Sequence, residues 1–400
     1  MTDTEERRGS TYLIAVMAGL TAIGPFSIDA YLPALPIMAE TLEASDSLLK
    51  LTMSVYLLGI AFFPLILSPL SDAYGRKPVL SLALLGYALT SAACAMAPSA
   101  EALILCRFLQ AAAGGVVMTV ARVVVSDLYS GDALSRAMSQ VMLMFTIAPV
   151  IAPIIGGALL EVAGWRAIFW ALVVYGLIGF LLALTLSETL ATDRRTPYNL
   201  TAFRQGYLEI ARSKAARRYF YLTFWSAVFF FAMLTSAPYI YMDQFGFSPL
   251  QFGYVFAAIS GAAFFANMLN ARLVMRFGYG RMLSVTVLSF IGWSAAMGLV
   301  AVTGLGGPWG VLAVMIWLMG AFHILFSNIM AGVMHQVQNR AGALSAVLAL
   351  FRFVGGAIGA AALGLFGSDQ VMGFAVILGV SSVMMLVVAP RTLRRVEQIG

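Results

Sequence analysis

Of the 400 residues, 61% are hydrophobic and 10% charged, with a mean hydropathy of +0.91. Soluble domains carry roughly 25% charged residues, so this chain has too little polar surface to cover a water-facing globule of its size. The net charge of +6 raises nucleic acid as a partner, a reading that the placement of the basic residues argues against.

The first apolar run, 12–33, follows a polar Met1–Ser10 and leads into Asp29 and a Tyr31-Leu32-Pro33 turn rather than a small-residue cleavage site. It reads as a retained span and not as a signal peptide. Further runs of spanning length lie at 47–69, 79–97, 102–125, 137–160 and 166–187, then at 219–241, 250–271, 282–303, 308–330, 342–364 and 369–390. One long polar stretch separates the two sets. The expected architecture is therefore an all-α integral membrane protein of twelve transmembrane helices in two six-helix bundles, 1–187 and 219–400, joined by a linker at 188–218.

Numbering the loops alternately tests that count. Of the 24 basic residues, only Lys50 and Arg166 fall on the side opposite the N-terminus, and Arg107, Arg122 and Arg352 fall inside spans. The remaining nineteen share one side, which the positive-inside rule makes cytoplasmic, together with both termini and the linker. Glu40, Glu43, Asp46, Glu101, Glu161, Asp243 and Asp369 fall in the short loops of the other side, and Asp29 alone lies inside a span. Cys94 and Cys106 sit in apolar runs, where inert buried thiols are expected, although neighbouring helices could bring them together.

A carboxylate in a low-dielectric interior pays a large desolvation penalty and is suited to loading and losing protons. Asp29 is the candidate for that role; the alternative is an acid solvated at a helix end, since Pro33 follows one turn later. Arg107 lies at similar depth and either pairs with Asp29 or ties to a neighbouring backbone carbonyl. Arg122 either faces a cavity or reaches to the interface. Arg352 is a substrate contact or a partner for a group from the first half. His323 is a substrate contact or a satisfied core histidine. Tyr31, Tyr56, Trp225 and Tyr239 are candidate stacking surfaces for bulky apolar ligands, or plain core and lipid-facing residues. No metal-ligand cluster, Ser-His-Asp set, phosphate loop or ring of charges appears, so no enzyme, cofactor, metal site or channel is expected.

Two loops repeat. Ser68–Leu80 and Asn270–Leu283 align Leu70 with Leu273, Tyr74 with Phe277 and Gly75 with Gly278, each glycine followed by basic residues. Equivalent loops in two six-helix halves are the pattern of alternating-access carriers.

Four segments carry a family resemblance: D-A-Y-L-P-A-L-P at Asp29–Pro36, L-S-D-A-Y-G-R-K-P at Leu70–Pro78, R-F-L-Q-A at Arg107–Ala111 and A-P-V-I-A-P-I-I-G-G at Ala148–Gly157. Together they resemble the major facilitator superfamily, and within it the bicyclomycin-resistance (Bcr/CflA) branch of drug:proton antiporters. Ser68 and Ala152 stand where glycines are usual. The resemblance implies a proton-coupled multidrug efflux transporter of the inner membrane, a monomer that takes small-molecule drugs and protons. It implies proton coupling by Asp29 and Arg107 and a conformational latch of Asp72, Gly75, Arg76 and Asp127. It also implies an antiporter helix, bent at Pro149 and Pro153 and closely packed at Gly156 and Gly157. The rival reading is a sugar or metabolite importer or facilitator of the same superfamily.

Overall fold

The computed structural model describes residues 3–199, 205, 208, 210–213, 216–336, 341–367 and 369–396, and side chains of all of these except 3–11, 334–336, 341–343 and 388–396. Much of the expected linker, including Arg204 and Lys214, lies outside the described residues, as does Arg340; so do the side chains of Arg7, Arg8, Arg391, Arg394 and Arg395.

Among the described residues, eleven runs are long and apolar enough to cross a membrane. In chain order the first six are α1 (Tyr12–Thr41), α2 (Asp46–Tyr74), α3 (Arg76–Ala95), α4 (Ala100–Leu128), α5 (Gly131–Ala163) and α6 (Trp165–Thr185). Then come α7 (Arg217–Gln244), a 55-residue run Pro249–Thr303, α10 (Gly307–Val333), α11 (Leu344–Phe366) and α12 (Gln370–Val387). The long run is helical on both sides of Gly278, whose φ of 74° and ψ of 155° are not helical. It therefore holds two spans, α8 (249–277) and α9 (279–303), which restores the expected twelve. The acids expected in loops at Glu40, Asp46, Glu101, Glu161 and Asp243 sit instead in the terminal turns of their helices.

The expectation that α1 ends near residue 33 is corrected. The helix stops at Asp29, passes through a 3-10 turn at Leu32–Ala34 and resumes as Leu35–Thr41. Pro33 and Pro36 account for this: each lacks the N–H that would continue the preceding helix, and each is accepted in the first turn of the next. Asp29 thus lies at a break inside a span, 4% exposed, and not at a solvated helix end.

Two compact units are present: residues 1–44 with 58–200, and Ser45–Leu57 with 201–400. In the first unit α1 packs on α5, and α3 on α4 and α6. In the second, α7 packs on α11, α12 on α9 through the Ser382 hydroxyl and the Phe290 carbonyl, and α10 on α8 where Gly320 meets Ala266. Two pairings correspond: α1 on α5 with α7 on α11, and α3 on α6 with α9 on α12. Small residues make the closest approaches: a Cβ on Gly156 of α5 would fall on the Ala30 carbonyl of α1, and one on Gly359 of α11 on the Val228 carbonyl of α7. Cys94 and Cys106 do meet, as free thiols joined by a side-chain hydrogen bond between α3 and α4.

Candidate functional site

The break in α1 organises the interior of the first unit. The last carbonyls of a helix have no intrahelical partner, and Ser27 lies in the last turn before the break. Arg107 of α4, fully buried, donates Nη2 to the Ser27 carbonyl at 3.0 Å and Nη1 to Gln110 Oε1 at 2.6 Å. Its guanidinium lies 4.4 Å over the Tyr31 ring and 5.8 Å from Phe169. Gln110 passes the chain on, donating Nε2 to Ser91 Oγ at 2.7 Å, and Ser91 donates to the Tyr87 carbonyl at 2.7 Å. The Ser27 and Tyr87 hydroxyls close the network.

Arg107 therefore makes the backbone tie and not an ion pair with Asp29. Asp29 sits two residues beyond the carbonyl that Arg107 holds, and its carboxylate makes no hydrogen bond or ion pair among the described residues. The free carbonyls at the helix break compete for the guanidinium, and Gln110, three residues on, fixes its direction.

A second cluster lies at the α2–α3 turn. Gly75 adopts φ 105° and ψ 156°, a conformation that a side chain disfavours. The turn leaves Arg76 beside both carboxylates: Nε donates to Asp127 Oδ2 at 2.8 Å, and Nη1 to Asp72 and to Ser71 Oγ. Glu188 was not legible as part of this group. It accepts the backbone N–H groups of Arg76 (2.9 Å) and Lys77 (3.2 Å), capping α3 from 112 residues away, and those of Thr189 and Leu190. Burial pushes its carboxyl up, but these N–H bonds outweigh that and hold it below its usual value. The Lys77 ammonium donates to the Leu184 carbonyl (2.8 Å), the Thr196 N–H to the Asp72 carbonyl (3.1 Å), and the Tyr198 hydroxyl to the Ile66 carbonyl (3.0 Å).

The remaining candidates scatter. Arg122 turns back to its own helix, Nε donating to the Met118 carbonyl at 3.0 Å. Tyr31 and Tyr56 are fully buried, and Tyr239, 1% exposed, lies under the Lys50 ammonium at 4.3 Å. Lys50, which the sequence places at the start of the run 47–69 on the side opposite the N-terminus, is itself completely buried. Trp225 is half-buried, edge-on to Phe224 and Tyr221. His323 Nδ1 lies 3.0 Å from the Met319 carbonyl, and Arg352 rests among phenylalanine rings. In α5, Pro153, Gly156 and Gly157 are buried and Pro149 is half-buried.

The family model for the major facilitator superfamily matches residues 17–360. The chain belongs to the major facilitator superfamily. It is 30% identical over 352 residues to the bicyclomycin resistance protein homolog of Haemophilus influenzae, covering 87% of this chain and 88% of that one. It is 27% identical over 338 residues to the multidrug resistance protein MdtL of Shewanella oneidensis, covering 83% of each. Among solved structures it resembles a bacterial homolog of the human lysosomal transporter Spinster, with a TM-score of 0.74, 17% identity and coverage of 96% and 98%. This superfamily member is a transporter and not an enzyme, with multiple membrane spans.

Proposed function

We propose that the chain is a drug:proton antiporter that exports small, mostly uncharged or amphipathic antimicrobial compounds by alternating access. The names of its relatives, bicyclomycin resistance and multidrug resistance, support the export of drugs. The observation that carries proton coupling is Asp29: a carboxylate 4% exposed at a helix break, with no bonded partner among the described residues. Such a group is costly to keep charged and becomes neutral by taking one proton. Arg107 and its network hold the break in shape, so that proton loading at Asp29 acts on a fixed backbone. The Arg76 cluster acts as a latch, a charge network able to break and re-form between two packings.

In this reading the chain is a monomer in the inner membrane, with both termini and the 188–218 linker in the cytoplasm, as the basic-residue bias favours. The bundles 1–187 and 219–400 are its moving halves. The test is drug efflux from proteoliposomes under an imposed pH gradient. Wild type should extrude drug against its gradient, and Asp29→Asn should retain drug binding while losing gradient-driven export. Undiminished uphill export by Asp29→Asn would overturn the proton-site assignment; export of nothing but sugars or metabolites would overturn the drug reading.

A further inference from the structure

Arg352 forms no ion pair among the described residues. The 201–400 sequence contains four acidic residues, Glu209, Asp243, Asp369 and Glu397. None lies in α11, which carries Arg352, or in α10, which supplies most of its neighbours. Aromatic faces surround it instead: the guanidinium carbon lies 4.6 Å from the ring centre of Phe326, 5.3 Å from Phe322 and 5.9 Å from Phe353.

Ring faces attract a cation, but they do not satisfy the directed N–H groups of a guanidinium as an oxygen acceptor does. Arg352 Nε is buried and has no hydrogen-bond partner among the described residues. Beside it, His323 spends Nδ1 on the Met319 carbonyl at 3.0 Å and stands edge-on to Phe322 at 5.5 Å. Phe322 is backed by Phe230 in a stack of 3.9 Å and 11°, a rigid aromatic wall. Phe230 and Phe322 are buried, whereas Arg352, His323, Phe326 and Phe353 each keep part of their surface exposed. All six residues lie within the second unit.

We propose that Arg352 and these rings form a recognition site for flat aromatic compounds bearing an anionic group such as a carboxylate. The guanidinium fork takes the two carboxylate oxygens, a geometry that arginine supplies and lysine does not. The aromatic body of the ligand stacks on Phe326 or Phe353, and His323 offers a second polar contact. As a statement about substrates this rests on the exporter reading and narrows its amphipathic class.

The test is binding to the purified full-length protein, with 2-naphthoate and its uncharged amide as probes. Wild type should bind the acid about tenfold more tightly than the amide. Arg352→Gln should abolish that preference, Arg352→Lys should keep part of it, and Phe326→Ala should weaken both probes alike. Equal binding of acid and amide by wild type would overturn the proposal without need of any variant; so would an undiminished preference in Arg352→Gln. Binding and export separate the two readings. A naphthoate preference without drug export would sustain the site and sink the exporter, and drug export without the preference would do the reverse.

Discussion

Gly75 and Gly278 turn the chain the same way, with φ of 105° and 74° and ψ of 156° and 155°. Their surroundings differ. A Cβ at Gly75 would meet the Glu188 carboxylate and the Arg195 guanidinium, whereas one at Gly278 would meet nothing within 4 Å among the described residues. The same contrast runs through the interiors. Arg107 in the first unit is held by a carbonyl and an amide oxygen, Arg352 in the second by phenylalanine faces. The backbone plan is shared, down to Gly156 on Ala30 and Gly359 on Val228. The chemistry is not: polar networks fill the first unit and aromatic packing the second. A duplicated scaffold constrains helix approach and turn geometry, and leaves the side chains on it free to diverge.

The largest expected effect tests the shared plan. Gly156→Val and Gly359→Val each drive a side chain into a backbone carbonyl and should each cost at least about 3 kcal/mol, seen as loss of monodisperse protein in size-exclusion chromatography. Tolerance of one and not the other would break the equivalence of the two crossings. Next come the turns. Gly278→Ala should cost about 2 kcal/mol from backbone strain alone, and Gly75→Ala about 1 kcal/mol more, because Glu188 must also give way; thermal unfolding of the pair measures the difference. Arg107→Gln should lower stability by about 2 kcal/mol through the acceptors it strands. Arg352→Gln should cost about 1 kcal/mol or less, the scale of a cation on aromatic faces. Equal losses would mean that the two cations are held alike.

The smallest effect is on pH. Backbone N–H bonds hold the Glu188 carboxyl below its ordinary value, so its contribution is complete above that ordinary value and is lost as pH falls through the depressed folded value. Thermal stability of wild type should therefore decline below about pH 4.5 more steeply than that of Glu188→Gln. Gly278 has no corresponding carboxylate among the described residues, so the acid sensitivity should map to the α2–α3 turn.

Much of this was legible before folding was considered. Spanning helices announce themselves by apolar length, because lipid tolerates little else. The aligned Gly75 and Gly278 and the Asp72, Arg76 and Asp127 cluster could be placed by loop position. Glu188 could not, because a carboxylate that caps a helix 112 residues distant leaves no local pattern. Nor could the burial of Lys50, whose helix segment Ser45–Leu57 joins the second unit. Pro33 signalled an end to α1, yet the chain resumed as helix after one 3-10 turn, since proline stops one helix and starts the next equally well.

By itself the sequence determined the membrane class, the twelve spans, the twofold plan and the one acid far from any span end, since each follows from hydropathy, spacing or counting along the chain. Only the tertiary structure decided what the charged groups touch. It gave Arg107 to the Ser27 carbonyl instead of Asp29, Arg76 to two carboxylates from different helices, and Arg352 to three rings. The physical reason is directional. Burial depends on how apolar a segment is, whereas a hydrogen bond or a ring contact depends on where helix breaks and glycine crossings aim atoms that lie far apart in sequence.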